Sequence, residues 1–343
     1  MSAIASQTNV TGTTTLQDAL APLAGTDFLS ILDVTTPQLL ALLELAEAVK
    51  AEPALLRGTL AGKTVVMLFE KPSLRTRVSF EVGLVKAGAH ALYFDHKGSK
   101  IGDREPVLDY AKNMERWCDA IVARTFSHET LEGLASHGSI PVVNALSDLY
   151  HPCQALADLL TLKEHLGTLE GKKLAYLGDG NNVCHSLMIA CAKSGVDFTA
   201  VTPKGFEPSF GVIKRATAAA VVSGAKITVT HDPQAVEAHH AVYTDTWVSM
   251  GQDHQHAVRE GQFAHLSVGD GLMEKASTGI NGTAKFMHCL PAHRGQEVSD
   301  TVIDGPDSVV YDQAENRMHT QVALLLALFG AVPGVSGVAK EMT

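Results

Sequence analysis

Phe69-Glu70-Lys71-Pro72-Ser73-Leu74-Arg75-Thr76-Arg77 ends an apolar run that starts at Val65 and opens a helical pattern, with cationic residues crowded into the helix's first turn. A helix N-terminus carries partial positive charge and unpaired N–H groups, so Arg75 and Arg77 stand against the field there, at a cost of roughly a few tenths of a kcal/mol. A bound anion removes that cost. Ser73 is placed as the N-cap and Pro72 fixes the approach of the chain. The first-turn N–H groups with the Ser73 and Thr76 hydroxyls would complete a phosphate cradle. The other reading is a capped surface helix with solvated arginines, and the stretch alone leaves both open.

On either side of it the pattern alternates. Thr36 to Lys50 has helical spacing (Leu39, Leu40, Leu43, Ala46), and Lys63 to Phe69 reads as a buried strand. After the helix opened by Ser73 come a short strand at Ala89–Phe94 and a polar, glycine-rich loop from His96 to Gly102. A helix at Pro106–Trp117, a strand at Ala120–Arg124 and a strand at Ser139–Asn144 follow. Alternation of this kind implies a parallel sheet with both faces covered, and ligands in such sheets sit at the carboxyl ends of strands. Glu70-Lys71 and Arg124 fall at such ends. The helix from His151 to His165 leads into a second alternation with no flexible linker, so it reads as a rigid bridge. Strands are expected at Lys173–Leu177, Phe198–Thr202, Lys226–Thr230, Ala241–Thr244, Lys285–His288 and Ser308–Tyr311, and a last helix at Glu315–Phe329. The fold class is α/β, with two domains, each a parallel sheet flanked by helices, joined by the bridging helix and the C-terminal helix. Residues 1–26 are expected to form a disordered tail, 27–155 the first domain and 156–317 the second, with helix 318–332 returning to the first.

At 343 residues, with 45% hydrophobic and 19% charged side chains, the chain has enough apolar material for two cores. Its net charge of −10 argues against a nucleic-acid or anionic-membrane surface, so a phosphate site must be a local concentration of Arg and His. The five cysteines, Cys118, Cys153, Cys184, Cys191 and Cys289, show no C-x-x-C pair and suit free thiols in a reducing compartment. The apolar run Val322–Val332 is too short for a membrane span. The first 25 residues lack Lys and Arg, which a targeting peptide would need, and a cytoplasmic protein is expected.

Five further stretches carry possible chemistry. Gly178-Asp179-Gly180-Asn181-Asn182-Val183 sits where a dinucleotide fingerprint would, but Val183 occupies the third glycine position and the following strand ends in Val201-Thr202-Pro203 without an acidic residue. A tight turn with Asn capping the next helix is one reading, and Asn182 facing a small polar substrate is the other. His151-Pro152-Cys153-Gln154 places His151 and Gln154 one turn apart on a shared face. Asp245-Thr246-Trp247-Val248-Ser249-Met250-Gly251 follows a strand, and Asp245 is either a helix cap or the holder of a substrate amine. In His288-Cys289-Leu290-Pro291, the Leu290-Pro291 bond is a candidate cis peptide. Cys289 is a nucleophile, a proton carrier or a small core residue. Arg317 stands at the expected start of the last helix, where it could simply pair with Glu315. The His239-His240 and His254-x-His256 patches lack carboxylate or Cys partners at ligand spacing, and neither a metal nor a cofactor is predicted.

Taken in order, Ser-Leu-Arg-Thr-Arg, the strand-end Arg124, His-Pro-Cys-Gln, Asp-Thr-Trp-Val-Ser-Met-Gly and His-Cys-Leu-Pro closely resemble the aspartate/ornithine carbamoyltransferase family, across roughly residues 27–332. The last two motifs point within it to an ornithine acceptor, rather than putrescine, an N-acylated ornithine or aspartate. An NAD-dependent oxidoreductase built on the Gly178 turn is the outside alternative. The resemblance implies a homotrimer with sites at subunit interfaces, no metal, and carbamoyl transfer from carbamoyl phosphate to the δ-amine of L-ornithine in arginine metabolism. By position, it assigns Ser73, Leu74, Arg75 and Thr76 to phosphate, and Arg124, His151, Gln154, Cys289, Leu290 and Arg317 to carbamoyl phosphate. Asn182, Asp245, Ser249 and Met250 fall to ornithine. Arg75, Arg124, His151, Asp245 and Cys289 are the implied catalytic set. Leu74 replaces the threonine usual in this motif, and Lys100 stands where a loop residue reaches into the neighbouring subunit's site.

Overall fold

The computed structural model describes residues 15–96, 99–248 and 256–334. The chain opens with α1 (Leu16–Leu20) and α2 (Thr36–Ala51). Each starts at a threonine in a capping box, so two orphan backbone donors are satisfied reciprocally. Then come β1 (Thr64–Phe69), α3 (Leu74–Ala87), β2 (His90–Asp95), α4 (Val107–Trp117), β3 (Ala120–Arg124), α5 (His128–His137) and β4 (Val142–Leu146). These strands form a parallel sheet in the order β2-β1-β3-β4. The central strands β1 and β3 are apolar along nearly their whole length because helices cover both faces, whereas edge strand β2 leaves Leu92 and Phe94 exposed.

Helix α6 (Pro152–Leu166) leads to a second unit: β5 (Lys173–Leu177), α7 (Asn182–Ser194), β6 (Asp197–Val201), α8 (Phe210–Ser223), β7 (Ile227–Thr230), β8 (Ala241–Thr244), α9 (His256–Phe263), α10 (Asp270–Ser277), β9 (Lys285–His288), α11 (Asp300–Ile303) and α12 (Val310–Leu328). Its sheet is parallel in the order β7-β6-β5-β8-β9. Both sheets are doubly wound. The chain leaves β1 to one side and returns on the other at β3, and it does the same at β5 and β8. The crevices at these two reversals, at the carboxyl ends of the strands, are where ligands belong.

Helices α6 and α12 tie the two units together. α12 packs on α2, α3 and α6, and α6 also packs on α7. The contact between α3 and α12 is close enough to require Gly83, where a Cβ would overlap the Val322 side chain. Leu159 and Leu160 of α6 and Leu324 and Leu325 of α12 are fully buried, each contributing roughly 2 kcal/mol of apolar transfer. No helix among the described residues is long and apolar enough to cross a membrane, and the Val322–Leu328 part of the apolar run is core.

Three expectations are corrected. The tail does not extend to residue 26: Leu16, Leu20 and Leu23 have helical spacing that the Ser/Thr/Ala-rich composition obscured, and all three are buried. Residues 1–14 lie outside the described residues. Ser308–Tyr311 is not a strand. Ser308 makes one parallel bridge to Phe286, after which Val310 begins α12, so the last helix starts five residues earlier than Glu315. Arg317 consequently lies well inside that helix. Glu315 faces Lys50 and His319, while Arg317 turns inward to other partners.

Candidate active site

The turn after β1 delivers the first group of site residues. Ser73 caps α3, its hydroxyl accepting from the Thr76 N–H at 3.3 Å and donating to Thr76 Oγ1 at 3.0 Å. From α12, Arg317 Nη2 donates to the same Thr76 oxygen at 2.8 Å. Both lone pairs of that oxygen are then used, leaving the Thr76 hydroxyl proton to donate elsewhere. Arg75 lines the cavity beside it and α3 has no acidic residue in its first turn. Arg77 does not join the cradle: its guanidinium stacks on Tyr93 at 3.9 Å and pairs with Glu81 at 3.0 Å, the structural alternative that the sequence left open. Leu74 also points away. It is 75% exposed and lines a shallow apolar groove with Val78, Val82 and Met318.

The ends of β3 and β4 and the start of α6 supply the second group. Between Ala123 and Arg124 the pairing slips by one, with an extra residue on β4 opposite the end of β3. Arg124 is buried, and burial together with the nearby Arg317 and Arg75 charges pushes its guanidinium down to about 9. His151 opens α6, its backbone N–H donating to Ser186 Oγ at 2.8 Å. Burial, then Arg317 and Arg124, hold its imidazole well below the usual range, so it is neutral at pH 7. Gln154 Oε1 accepts from Arg317 Nη1, and its Nε2 donates to Asp158 at 2.8 Å. Like charges gathered in a buried place describe a site that favours an anion.

The second sheet faces this group with different chemistry. Asn181 caps α7, accepting from the Val183 and Cys184 N–H groups, as the capping reading of the turn expected. Asn182 lines the cavity and donates to the Ser147 carbonyl at 2.5 Å. The Gly178 turn serves packing: a Cβ on Gly180 would overlap the backbone at Glu207–Pro208, which lies directly over it. At the end of β8, Asp245 accepts from Asn181 Nδ2 at 2.8 Å, from the Thr246 N–H at 2.8 Å and from the Cys289 thiol at 3.1 Å. A carboxylate offers about four lone-pair sites, so room for one more donor remains. Burial and the Asp245 charge push the Cys289 thiol well up, so it stays protonated and acts as a donor rather than a thiolate. Leu290 adopts φ +57°, its N–H held by His288 Nδ1 at 2.8 Å, and the Leu290-Pro291 bond is cis.

One cavity of about 120 Å³ therefore collects Ser73, Arg75, Thr76, Arg124, His151, Gln154, Asn182, Asp245, Cys289, Leu290 and Arg317. It also takes in Lys71 and Thr246, which carried no sequence-based role. Lys71 lies inside the motif that was read first, and its Nζ sits 4.6 Å over the Phe126 ring. Leu74 and Lys100 are not among the residues lining the cavity. Lys100 is exposed, with its N–H donating to Asp103. Ser249 and Met250 lie outside the described residues.

Asp245, His288 and Cys289 bring one potential metal-ligand atom each within 4.8 Å of one another, the only such group among the described residues. Two of the three are held in other roles: His288 Nδ1 accepts from the Leu290 N–H at 2.8 Å, and the Cys289 thiol keeps its proton and donates it to Asp245. The paired histidines are structural where described. His239 bonds Thr199 and two carbonyls, and His240 accepts from the Lys173 N–H; His254 and the His256 side chain lie outside the described residues.

Two family models divide the chain much as its two sheets do. The carbamoyl-P binding domain of aspartate/ornithine carbamoyltransferases matches residues 26–164, and their Asp/Orn binding domain matches residues 170–328. The chain belongs to the aspartate/ornithine carbamoyltransferase family. Within that family it is 54% identical to an ornithine carbamoyltransferase of Shewanella oneidensis over 302 residues, which span 88% of this chain and 99% of the relative. It is 51% identical to one of a Vibrio species over the same shares. The solved structure of the ornithine carbamoyltransferase from Pyrococcus furiosus superposes with a TM-score of 0.85 at 45% identity, covering 90% of this chain and 98% of that one. The two switch-point crevices of this carbamoyltransferase fold thus open onto a single shared site.

Proposed function

We propose that this carbamoyltransferase moves the carbamoyl group of carbamoyl phosphate to the δ-amine of L-ornithine, giving L-citrulline and phosphate. The observation that carries the reading is one cavity with Arg75, Arg124, Arg317 and the start of α3 on one wall, and Asp245 with Cys289 on the other. The first wall suits a phosphate and the second an amine.

In this proposal Ser73, Arg75, Thr76 and the first-turn N–H groups of α3 hold the phosphate, and Lys71 adds positive charge. The ornithine chain lies along Asn182, Asp245, Ser249 and Met250. Its neutral δ-amine attacks the carbamoyl carbon, forming the new C–N bond, and the carbonyl electron pair moves onto oxygen. Arg124, the free hydroxyl proton of Thr76 and neutral His151 stabilise that oxyanion. Its collapse breaks the bond to the phosphate oxygen, which leaves with the electron pair and takes up the proton lost by nitrogen, while Arg75 and the helix N-terminus absorb its charge. Gln154 and Arg317 position the carbamoyl end, Cys289 and Leu290 lie beside the reacting amine, and Asp245 fixes that amine with its remaining acceptor position. Each role uses the protonation state that burial imposes: a neutral imidazole at His151 and a protonated thiol at Cys289.

The division of labour follows the two sheets, with residues 27–155 and the returning C-terminal helix on the carbamoyl phosphate side and 156–317 on the amine side. We place the enzyme in the cytoplasm as a homotrimer in arginine biosynthesis. In it, the exposed Leu92 and Phe94 of β2 face a neighbouring copy and Lys100 reaches that copy's site. The test is to supply carbamoyl phosphate with ornithine, putrescine, N-acetylornithine or aspartate and to follow citrulline and phosphate. Ornithine should accelerate phosphate release far more than the others; release no faster with ornithine than without it would sink the assignment.

A further inference from the structure

Asp158 lies in the middle of α6, fully buried and outside the cavity, and the chemistry above gives it no task. Its Oδ1 nevertheless accepts from two side-chain amides at once, Gln154 Nε2 at 2.8 Å and Gln313 Nε2 at 2.7 Å. An amide has a donating end and an accepting end, and a carboxylate oxygen only accepts. Asp158 therefore decides which way both amides face. Gln154 presents its oxygen to the Arg317 guanidinium, and Gln313 presents its oxygen to the His288 backbone N–H at 3.0 Å.

Two arms leave this junction. The first runs from Gln154 to Arg317, from Arg317 Nη2 to Thr76 Oγ1, and from there to Ser73 at the cap of α3. The second runs from Gln313 to the end of β9, where the next residue is Cys289, whose thiol donates to Asp245. The first arm ends on the anion wall of the cavity, and the second on the amine wall.

We propose that Asp158 is a positioning residue for carbamoyl transfer: a single buried carboxylate oxygen that orients two glutamine amides and so holds Arg317 and the Cys289 strand end in register across the site. The proposal rests on the carbamoyl-transfer reading for the identity of the two substrates, but not for the two arms themselves.

Burial raises the Asp158 carboxyl to about 7, against the lowering influence of both amides, Arg317 and the Tyr243 hydroxyl. The proton and the amides need not compete. Protonation at Oδ2 leaves Oδ1 accepting from both glutamines, so the orientation persists in either state. A buried carboxylate is an expensive way to fill core, and an apolar side chain would avoid that desolvation. What an apolar side chain lacks is the acceptor.

The test uses the full-length protein, varying each substrate in steady-state assays and titrating carbamoyl phosphate calorimetrically without ornithine. Asp158→Asn keeps an acceptor oxygen and should stay within about threefold of wild type in kcat and both KM values. Asp158→Leu orphans both amides and should weaken carbamoyl phosphate binding and lower kcat, each by about tenfold or more. Gln313→Leu cuts only the second arm. It should lower kcat/KM for ornithine about tenfold while the carbamoyl phosphate Kd stays within about threefold. A folded Asp158→Leu with wild-type binding and turnover would overturn the proposal, as would Asp158→Asn being as damaged as Asp158→Leu. Should Asp158→Leu not fold, equal losses at both substrates in Gln313→Leu would overturn it. A wild type that binds carbamoyl phosphate but does not carbamoylate ornithine would defeat the acceptor assignment alone, and the binding arm would still judge Asp158.

Discussion

The starts of α3 and α7 are the same construction used twice. Each follows the strand at which its doubly wound sheet reverses, and each opens with a polar N-cap at the carboxyl edge. The α3 start is left electrostatically incomplete: Arg75 lines the cavity and the Thr76 hydroxyl keeps a proton to give. The α7 start is finished from within. Asn181 takes two of its N–H groups, Asp179 brings a carboxylate paired with Arg259 at 2.5 Å, and the backbone at Glu207–Pro208 covers Gly180. Topology brings both turns to the ligand edge, and capping decides which of them is left wanting an anion.

The largest effect expected from this difference is at Arg75. Arg75→Ala should lower kcat/KM for carbamoyl phosphate by about 10³-fold with an unchanged unfolding midpoint, because a donor aimed at developing charge is removed. A loss under tenfold would make the two turns functionally alike. At the α7 turn the cost should appear as stability. Gly180→Ala forces a methyl group into the 207–208 backbone and should cost about 1–3 kcal/mol in urea unfolding, with KM values unchanged in the folded fraction. An unaltered midpoint would mean that the turn is not sealed by that segment.

A smaller, pH-dependent effect belongs to His151. Its native pKa is depressed by burial and by Arg317 and Arg124, so below about 6.5 the unfolded chain takes up a proton that the native site refuses. Stability is therefore lost as pH falls through that value, by up to about 1.4 kcal/mol per pH unit for this one group. His151→Gln should remove this share, so its stability deficit relative to wild type shrinks from pH 8 to pH 5. A constant deficit would show that His151 is not held neutral. The smallest effect is at Leu74, which faces solvent and not the cavity. Leu74→Thr should change the carbamoyl phosphate KM by less than about twofold, since packing and donors around the phosphate are unaltered. A larger gain would mean that this side chain turns inward when substrate binds.

Most of the architecture could be read from apolar periodicity, because parallel strands buried on both faces are unbroken apolar runs and the helices between them carry strong caps. The readings failed where a local pattern was ambiguous. Val309-Val310 has strand-like branching yet enters a helix, and Leu16, Leu20 and Leu23 are sparse among small polar residues. In the site, Ser73, Arg75, Thr76, Arg124, His151, Asp245 and Cys289 announced themselves as polar groups at strand or helix ends. Arg317 was noticed for a wrong reason, as a helix-start residue, and it reaches the cavity from within α12. Asp158 and Gln313 gave no signal: their importance lies in contacts between helices distant in sequence, and spacing along one helix cannot reveal a partner on another.

The central claim is that the α3 start is the anion site and the α7 start is not, and titration calorimetry with carbamoyl phosphate in the absence of ornithine addresses it most directly. One equivalent should bind per chain, Arg75→Ala should abolish the binding, and Asn181→Ala should retain it. Binding that survives Arg75→Ala but is lost in Asn181→Ala would contradict the account.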